Sequence, residues 1–167
     1  SKAFQIPFIA SSIAELYEKT KPDLVVITVN ETSMREVCAE AFKFPWKFLI
    51  EKPVGIDYDE AEYIAGLAAE RNAAVWVALN RRQHSSLRAV LSELEQESGT
   101  RFIQIMDQED QVGARAYGHP ELLVKNWMFA NSIHIVDYFA MLGRGKITQV
   151  TPIVPWDPEN PSIVISK

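Results

Sequence analysis

Residues 24–29 read Leu-Val-Val-Ile-Thr-Val, an unbroken aliphatic run rich in β-branched side chains. A run of this kind, with no polar alternation, is expected of a parallel strand buried on both faces. Pro22-Asp23 precedes it and ends a short helix, which Ser12-Ile-Ala-Glu15 opens with the S-x-x-E spacing of a capping box and which runs to about Lys19. On the other side, residues 32–42 read as a helix with Met34, Val37 and Ala41 on one stripe. Lys47 to Ile50 is a short apolar strand. Asp57-Tyr-Asp-Glu60 has cap spacing and opens an alanine-rich helix to about Arg71. Ala73 to Leu79 is a further buried strand. Strands alternating with helices give βαβ units, a parallel sheet and right-handed crossovers.

Beyond residue 82 the pattern changes. Ser85 to Glu97 is an amphipathic helix that Gly99 ends. Arg101 to Glu109 alternates apolar and polar side chains, as a half-solvated antiparallel strand does. Residues 110–120 carry two glycines and a proline and are expected to form a loop. Leu122 to Leu142 is mostly helical by pattern and stops at Gly143. Ile147 to Val154 and Ser162 to Ile165 are strands separated by a proline-rich turn. The expected fold class is therefore α/β. Residues 1–82 form the C-terminal half of a Rossmann parallel sheet. Residues 83–167 are expected to begin an α+β domain with a mostly antiparallel sheet.

Composition narrows the function. The chain has 167 residues, is 47% apolar and carries a net charge of −5. The acidic balance offers no electrostatic footprint for nucleic acid or anionic membrane. Cys38 is the single cysteine, so no internal disulfide forms and a reducing compartment fits. No apolar run is long enough to span a bilayer and no secretory leader opens the chain, so a cytoplasmic protein is expected. His84, His119 and His134 lack ligand spacing, and no metal site is expected.

Two clusters carry candidate chemistry. Glu51-Lys52-Pro53 directly follows a buried strand, and ligands of doubly wound sheets bind at the carboxyl ends of the strands. A lysine there can hold a substrate oxygen and stabilise a developing alkoxide. A surface ion pair at a strand end explains the same three residues equally well. In the second cluster Asn131, His134 and Asp137 stand three apart and share a face if the segment is α-helical. His134 then suits proton transfer near neutral pH, or is a satisfied core histidine beside a structural aspartate. His84 and His119 lie in loop-like stretches.

The order of these motifs resembles the Gfo/Idh/MocA family, the glucose-fructose oxidoreductase and inositol dehydrogenase group. A buried strand leads to Thr28-Val29-Asn30, a second to Glu51-Lys52-Pro53, a third to Asn80-Arg81-Arg82, and a helix then bears His134-x-x-Asp137. The resemblance implies hydride transfer between NAD or NADP and a secondary alcohol of a sugar or polyol. It implies that Lys52 binds the reacting oxygen and that His134 is the general acid/base. Thr28, Val29, Asn30, Glu51, Lys52 and Pro53 would contact the dinucleotide, and Asn80, Arg82, Asn131 and Asp137 the substrate. It further implies a dimer or tetramer in the full-length protein. The family's glycine-rich loop belongs upstream of Ser1, and no G-x-G-x-x-G occurs here, so the chain is expected to be the middle of a longer enzyme. Val29 and Ser33 stand where many members carry proline and histidine. Ala130 stands where the dehydrogenases carry an aspartate four residues before the histidine, with Asn131 next along. Ala130 leaves room for a catalytically silent binding or regulatory subunit. A redox-neutral epimerase or lyase with tightly bound NAD is the other reading.

Overall fold

Three parallel strands, β1 (Leu24–Ile27), β2 (Lys47–Ile50) and β3 (Ala74–Val77), lie in the order β1-β2-β3 in the computed structural model, which describes residues 4–157, 159 and 165–166. The chain divides into two compact units, Ser1–Ala78 and Leu79–Lys167. In the first, helix α1 (Ile13–Thr20) precedes β1, α2 (Met34–Ala41) connects β1 to β2, and α3 (Tyr58–Glu70) connects β2 to β3. The Ser12 hydroxyl caps α1 by accepting from the Glu15 N–H at 3.1 Å. The returning arm of the expected capping box goes one residue further back, because the Glu15 carboxylate accepts from the Ser11 N–H at 2.7 Å.

Register shows which strand face is covered. Val25 lies beside Phe48 and Val75, and Ile27 beside Ile50 and Val77. On this face Ile27, Phe48 and Ile50 are buried. They pack with Met34, Cys38 and Ala41 of α2, with Ile64 of α3, and with Phe42 and Trp46. Each fully buried side chain of this size contributes roughly 1.5–3 kcal/mol through loss of apolar surface to water. Aromatic edges extend the core outward, with Phe42 against Phe48 at 4.8 Å and Tyr17 against Phe44 at 5.0 Å.

The opposite face is open. Val26 and Trp76 remain 56% and 55% exposed, and Leu24 is exposed beside them. This corrects the expectation that the first and third strands are buried on both faces. The reason is handedness: two right-handed crossovers advancing in the same direction across a sheet put their helices on the same side.

In the second unit a 3₁₀ turn (Asn80–Gln83) leads into α4 (Ser85–Leu94). The 101–109 segment is not a strand. Side chains 101–106 alternate in exposure, but no ladder partner is present among the described residues, and a strand exists only by pairing. The expected loop at 110–120 contains a short helix, α5 (Gln111–Ala116), capped by the Asp110 carboxylate accepting from the Gly113 N–H at 2.7 Å. Helix α6 (Glu121–Lys125), a π-helical turn (Met128–Ser132) and α7 (Ile133–Leu142) follow. Strand β4 is confined to Pro152–Val154 and pairs antiparallel with β5 (Ile165–Ser166); residues 162–164 of the expected last strand lie outside the described residues. The Arg101 guanidinium ties two helix ends together, with Nη1 donating to the Leu142 carbonyl at 2.8 Å and Nη2 to the Leu94 carbonyl. A cation there satisfies terminal carbonyls and opposes the negative ends of α4 and α7.

Candidate functional site

In the first unit the candidate residues sit where parallel strands end. β1 stops at Ile27, and the chain leaves through Thr28, Val29 and Asn30 into a 3₁₀ turn (Glu31–Ser33). β2 stops at Ile50, yet the ladder runs one bond further, because the Glu51 N–H donates to the Ile27 carbonyl at 2.9 Å. On the other side the Ala78 N–H donates to the Ile50 carbonyl at 2.8 Å. The Thr28–Asn30 and Glu51–Pro53 segments are thus held side by side at the carboxyl edge of the sheet. Thr28 and Asn30 are exposed, Val29, Glu51 and Lys52 are half-buried, and Pro53 is buried after a cis Lys52–Pro53 bond.

The segment behind Lys52 is pinned. The Asp57 carboxylate caps α3 by accepting from the Glu60 N–H at 2.9 Å, and the Glu60 carboxylate reaches back to the Ile56 N–H at 2.9 Å. Gly55 lies so close beneath this clasp that an added Cβ would stand 2.5 Å from the Ala61 nitrogen. Asp57 and Glu60 were readable from their cap spacing. The close approach at Gly55 was not, because it depends on where the helix lands.

In the second unit the structure joins two residues expected to bind substrate. Arg82 donates to Asp137 through Nε at 2.7 Å and Nη2 at 2.6 Å, a bidentate pair linking the 3₁₀ turn to α7. The Asp137 side chain is only 8% exposed and that of Arg82 is 44% exposed. The hydrogen bond to Asp137 raises the Arg82 pKa above its usual value. Asn80 is exposed at the start of the turn, and His134 is buried on α7 one turn before Asp137.

Asn131 lies within the π-helical turn, not in a continuous α-helix, so the even three-residue spacing to His134 crosses a change of helical pitch. Its amide donates to both Glu109 oxygens, at 2.9 Å and 2.7 Å, and the Trp127 indole N–H donates to the same carboxylate at 2.9 Å. The His119 ring meets Trp127 edge-on at 5.4 Å. His84 precedes α4 and is exposed. Glu109 was missed by sequence reasoning: nothing near it in the chain marks it, and its partners lie well downstream. Among the described residues no group of three or more His, Cys, Asp or Glu side chains is placed to hold a metal. No helix among them is long and apolar enough to cross a membrane.

Residues 1–79 match the family described as an oxidoreductase family with an NAD-binding Rossmann fold. No curated protein matches the chain. Among solved structures, the WlbA (WbpB) dehydrogenase of Thermus thermophilus, in complex with NAD and UDP-GlcNAcA, superposes with a TM-score of 0.62 at 21% identity, over 84% of this chain and 46% of that one. A putative NADPH-dependent oxidoreductase of Desulfitobacterium hafniense gives 0.65 at 15% identity, over 86% and 43%. The apo scyllo-inositol dehydrogenase of Lactobacillus casei gives 0.61 at 18% identity, over 86% and 42%. The chain spans less than half the length of these structures, and at such identities they share its fold alone. Residues 1–79 are thus similar to the Gfo/Idh/MocA oxidoreductase family, whose model describes an NAD-binding Rossmann fold.

Proposed function

We propose that the protein is an NAD- or NADP-dependent oxidoreductase acting on a secondary alcohol of a sugar, sugar derivative or polyol. The observation that carries this reading is that Thr28–Asn30 and Glu51–Pro53 follow paired parallel strands, joined by the bond from the Glu51 N–H to the Ile27 carbonyl, at the carboxyl edge of the sheet. Ligands of doubly wound sheets bind at that edge. The donor set fits a dinucleotide there: exposed Thr28 and Asn30 would supply hydroxyl and amide groups to it, and buried Pro53 fixes the backbone that carries Lys52. When bound, the nicotinamide supplies the two-electron acceptor or donor.

The protein's share of the reaction is then charge and a proton. In the oxidation direction the alcohol carbon gives up a hydride and its O–H bond breaks. The Lys52 ammonium stabilises negative charge on the oxygen, and the His134 imidazole takes the proton. Asn131 and Asn80 orient neighbouring hydroxyls, while Arg82 and Asp137 hold the α7 backbone that carries His134. The test is the absorbance of reduced nicotinamide at 340 nm, a property of the cofactor, with full-length protein, NAD or NADP, and a sugar and polyol panel. Appearance of the reduced cofactor with one of them supports the reading.

One observation favours a second reading. Ala130, 4% exposed, places a methyl group beside Asn131 and no ionisable side chain at that position. A silent subunit that binds dinucleotide without turnover would bind NAD or NADP in a calorimetric titration and give no 340 nm signal.

A further inference from the structure

We propose that Glu109 is a positioning residue that fixes the Asn131 amide in one of its two orientations and so makes residue 131 an acceptor toward a substrate hydroxyl. The proposal rests on the reading above, that the π-helical turn and α7 serve a sugar or polyol site.

An ionised carboxylate only accepts hydrogen bonds. Both Glu109 oxygens meet the Asn131 Nδ2, at 2.9 Å and 2.7 Å, so the NH₂ end of the amide must face Glu109. A flipped amide would set Oδ1 against the carboxylate, acceptor against acceptor. The carbonyl end is therefore turned away from Glu109, and it can only accept. Such a group rewards a ligand O–H and repels an ether or carbonyl oxygen in the same place.

Trp127 keeps the arrangement from relaxing. Its indole N–H donates to Oε2 at 2.9 Å, so the carboxylate is held by a second donor and cannot swing off the amide without losing two partners. Trp127 immediately precedes the π-helical turn and Asn131 lies inside it, and π-turns recur where a helix departs from α pitch at functional sites. Glu109 itself does not touch substrate; it acts through Asn131.

The experiment uses the full-length protein. In ¹H–¹⁵N spectra, Glu109→Gln is expected to move both the Asn131 side-chain NH₂ pair and the Trp127 indole signal, the latter identified by its loss in Trp127→Phe. If neither signal moves, the pairing is wrong. With NAD or NADP and D-glucose or myo-inositol as probes, Glu109→Ala should raise KM about 10–100-fold, the span for losing one oriented hydrogen bond, with kcat within about threefold. The double variant Glu109→Gln/Asn131→Asp reverses donor and acceptor across the pair, still satisfies Trp127, and leaves an acceptor at position 131. Its KM should return to within about fivefold of the native value, well below that of Glu109→Ala. A KM unchanged in Glu109→Ala, with only thermal stability lowered, overturns the proposal, as does a double variant no better than Asn131→Asp alone. Absence of turnover with every sugar and polyol overturns the proposed function and the substrate clause with it, whereas the spectra decide separately whether Glu109 holds Asn131.

Discussion

Lys52 owes its standing to position: it is half-buried, directly after a strand, on backbone fixed by Pro53 and by the clasp at the start of α3. With the proposed role, Lys52→Ala in the full-length protein is expected to cut turnover by about two to four orders of magnitude, the range for losing an electrostatic or proton-transfer group, with little change in melting temperature. Turnover close to native, where chemistry limits the rate, refutes the role. Arg82 and Asp137 behave differently, because they bind each other. Arg82→Ala leaves an aspartate that is almost wholly buried without its fork, and should destabilise Leu79–Lys167 by roughly 1–2 kcal/mol, the low part of the range because the arginine is partly solvated. Arg82→Lys keeps the charge and should fall between, since an ammonium cannot match both oxygens. Urea unfolding of the three proteins orders them, and equal midpoints would show that the pair contributes nothing. Lys52, His134 and Asp137 could be singled out as candidates because each sits in a short motif. Glu109 was not, since its meaning comes from an indole and an amide 18 and 22 positions further on.

Among the elements, legibility followed local chemistry. The α1 and α3 starts were readable because caps are written within four residues, and the three parallel strands because short apolar runs need no partner to be recognised. Strand 101–109 failed for the converse reason: alternation marks a chain able to pair, and pairing is a property of a second segment. The short helix Gln111–Ala116 was hidden by Gly113 and Gly118, although Asp110 carries the cap. At the start of α3 the structure makes a sharp demand. Gly55→Ala would drive a Cβ into backbone atoms of Glu60 and Ala61 at 2.8 Å and 2.5 Å, neither of which can rotate away. The expected cost is about 1–3 kcal/mol, as for overpacking in a close-packed interior. Gly66→Ala, where an added Cβ meets nothing within 4 Å, is the control and should stabilise by a few tenths to 1 kcal/mol, an order-of-magnitude figure from helix propensity. Chemical denaturation of both variants checks the contrast, and a Gly55→Ala midpoint at or above the native one would contradict it.

Over the whole molecule, Cys38 reports on the first unit. It is fully buried between α2 and the sheet, and burial pushes its thiol up to about 11 from 9.0. A thiol kept neutral by folding contributes stability that is complete below about pH 9 and is lost as pH rises toward 11. At pH 8 a disulfide reagent should label it only as fast as the unit opens, and urea should accelerate labelling in step with unfolding; complete labelling of native protein within seconds would rule this out. The uncovered sheet face behaves in the opposite way. Val26→Lys should leave the fold intact, because the side chain is already 56% exposed, and should reduce binding of an apolar dye. Unchanged dye fluorescence would mean that this face is not the binding surface. The same one-sidedness has a consequence during synthesis. A growing chain whose residues 24–77 have left the ribosome can close its crossovers and bury Phe48 and Ile50 while Leu24, Val26 and Trp76 face outward. From that point the polypeptide is half folded and half adhesive, open to chaperones and to neighbouring chains on the same messenger.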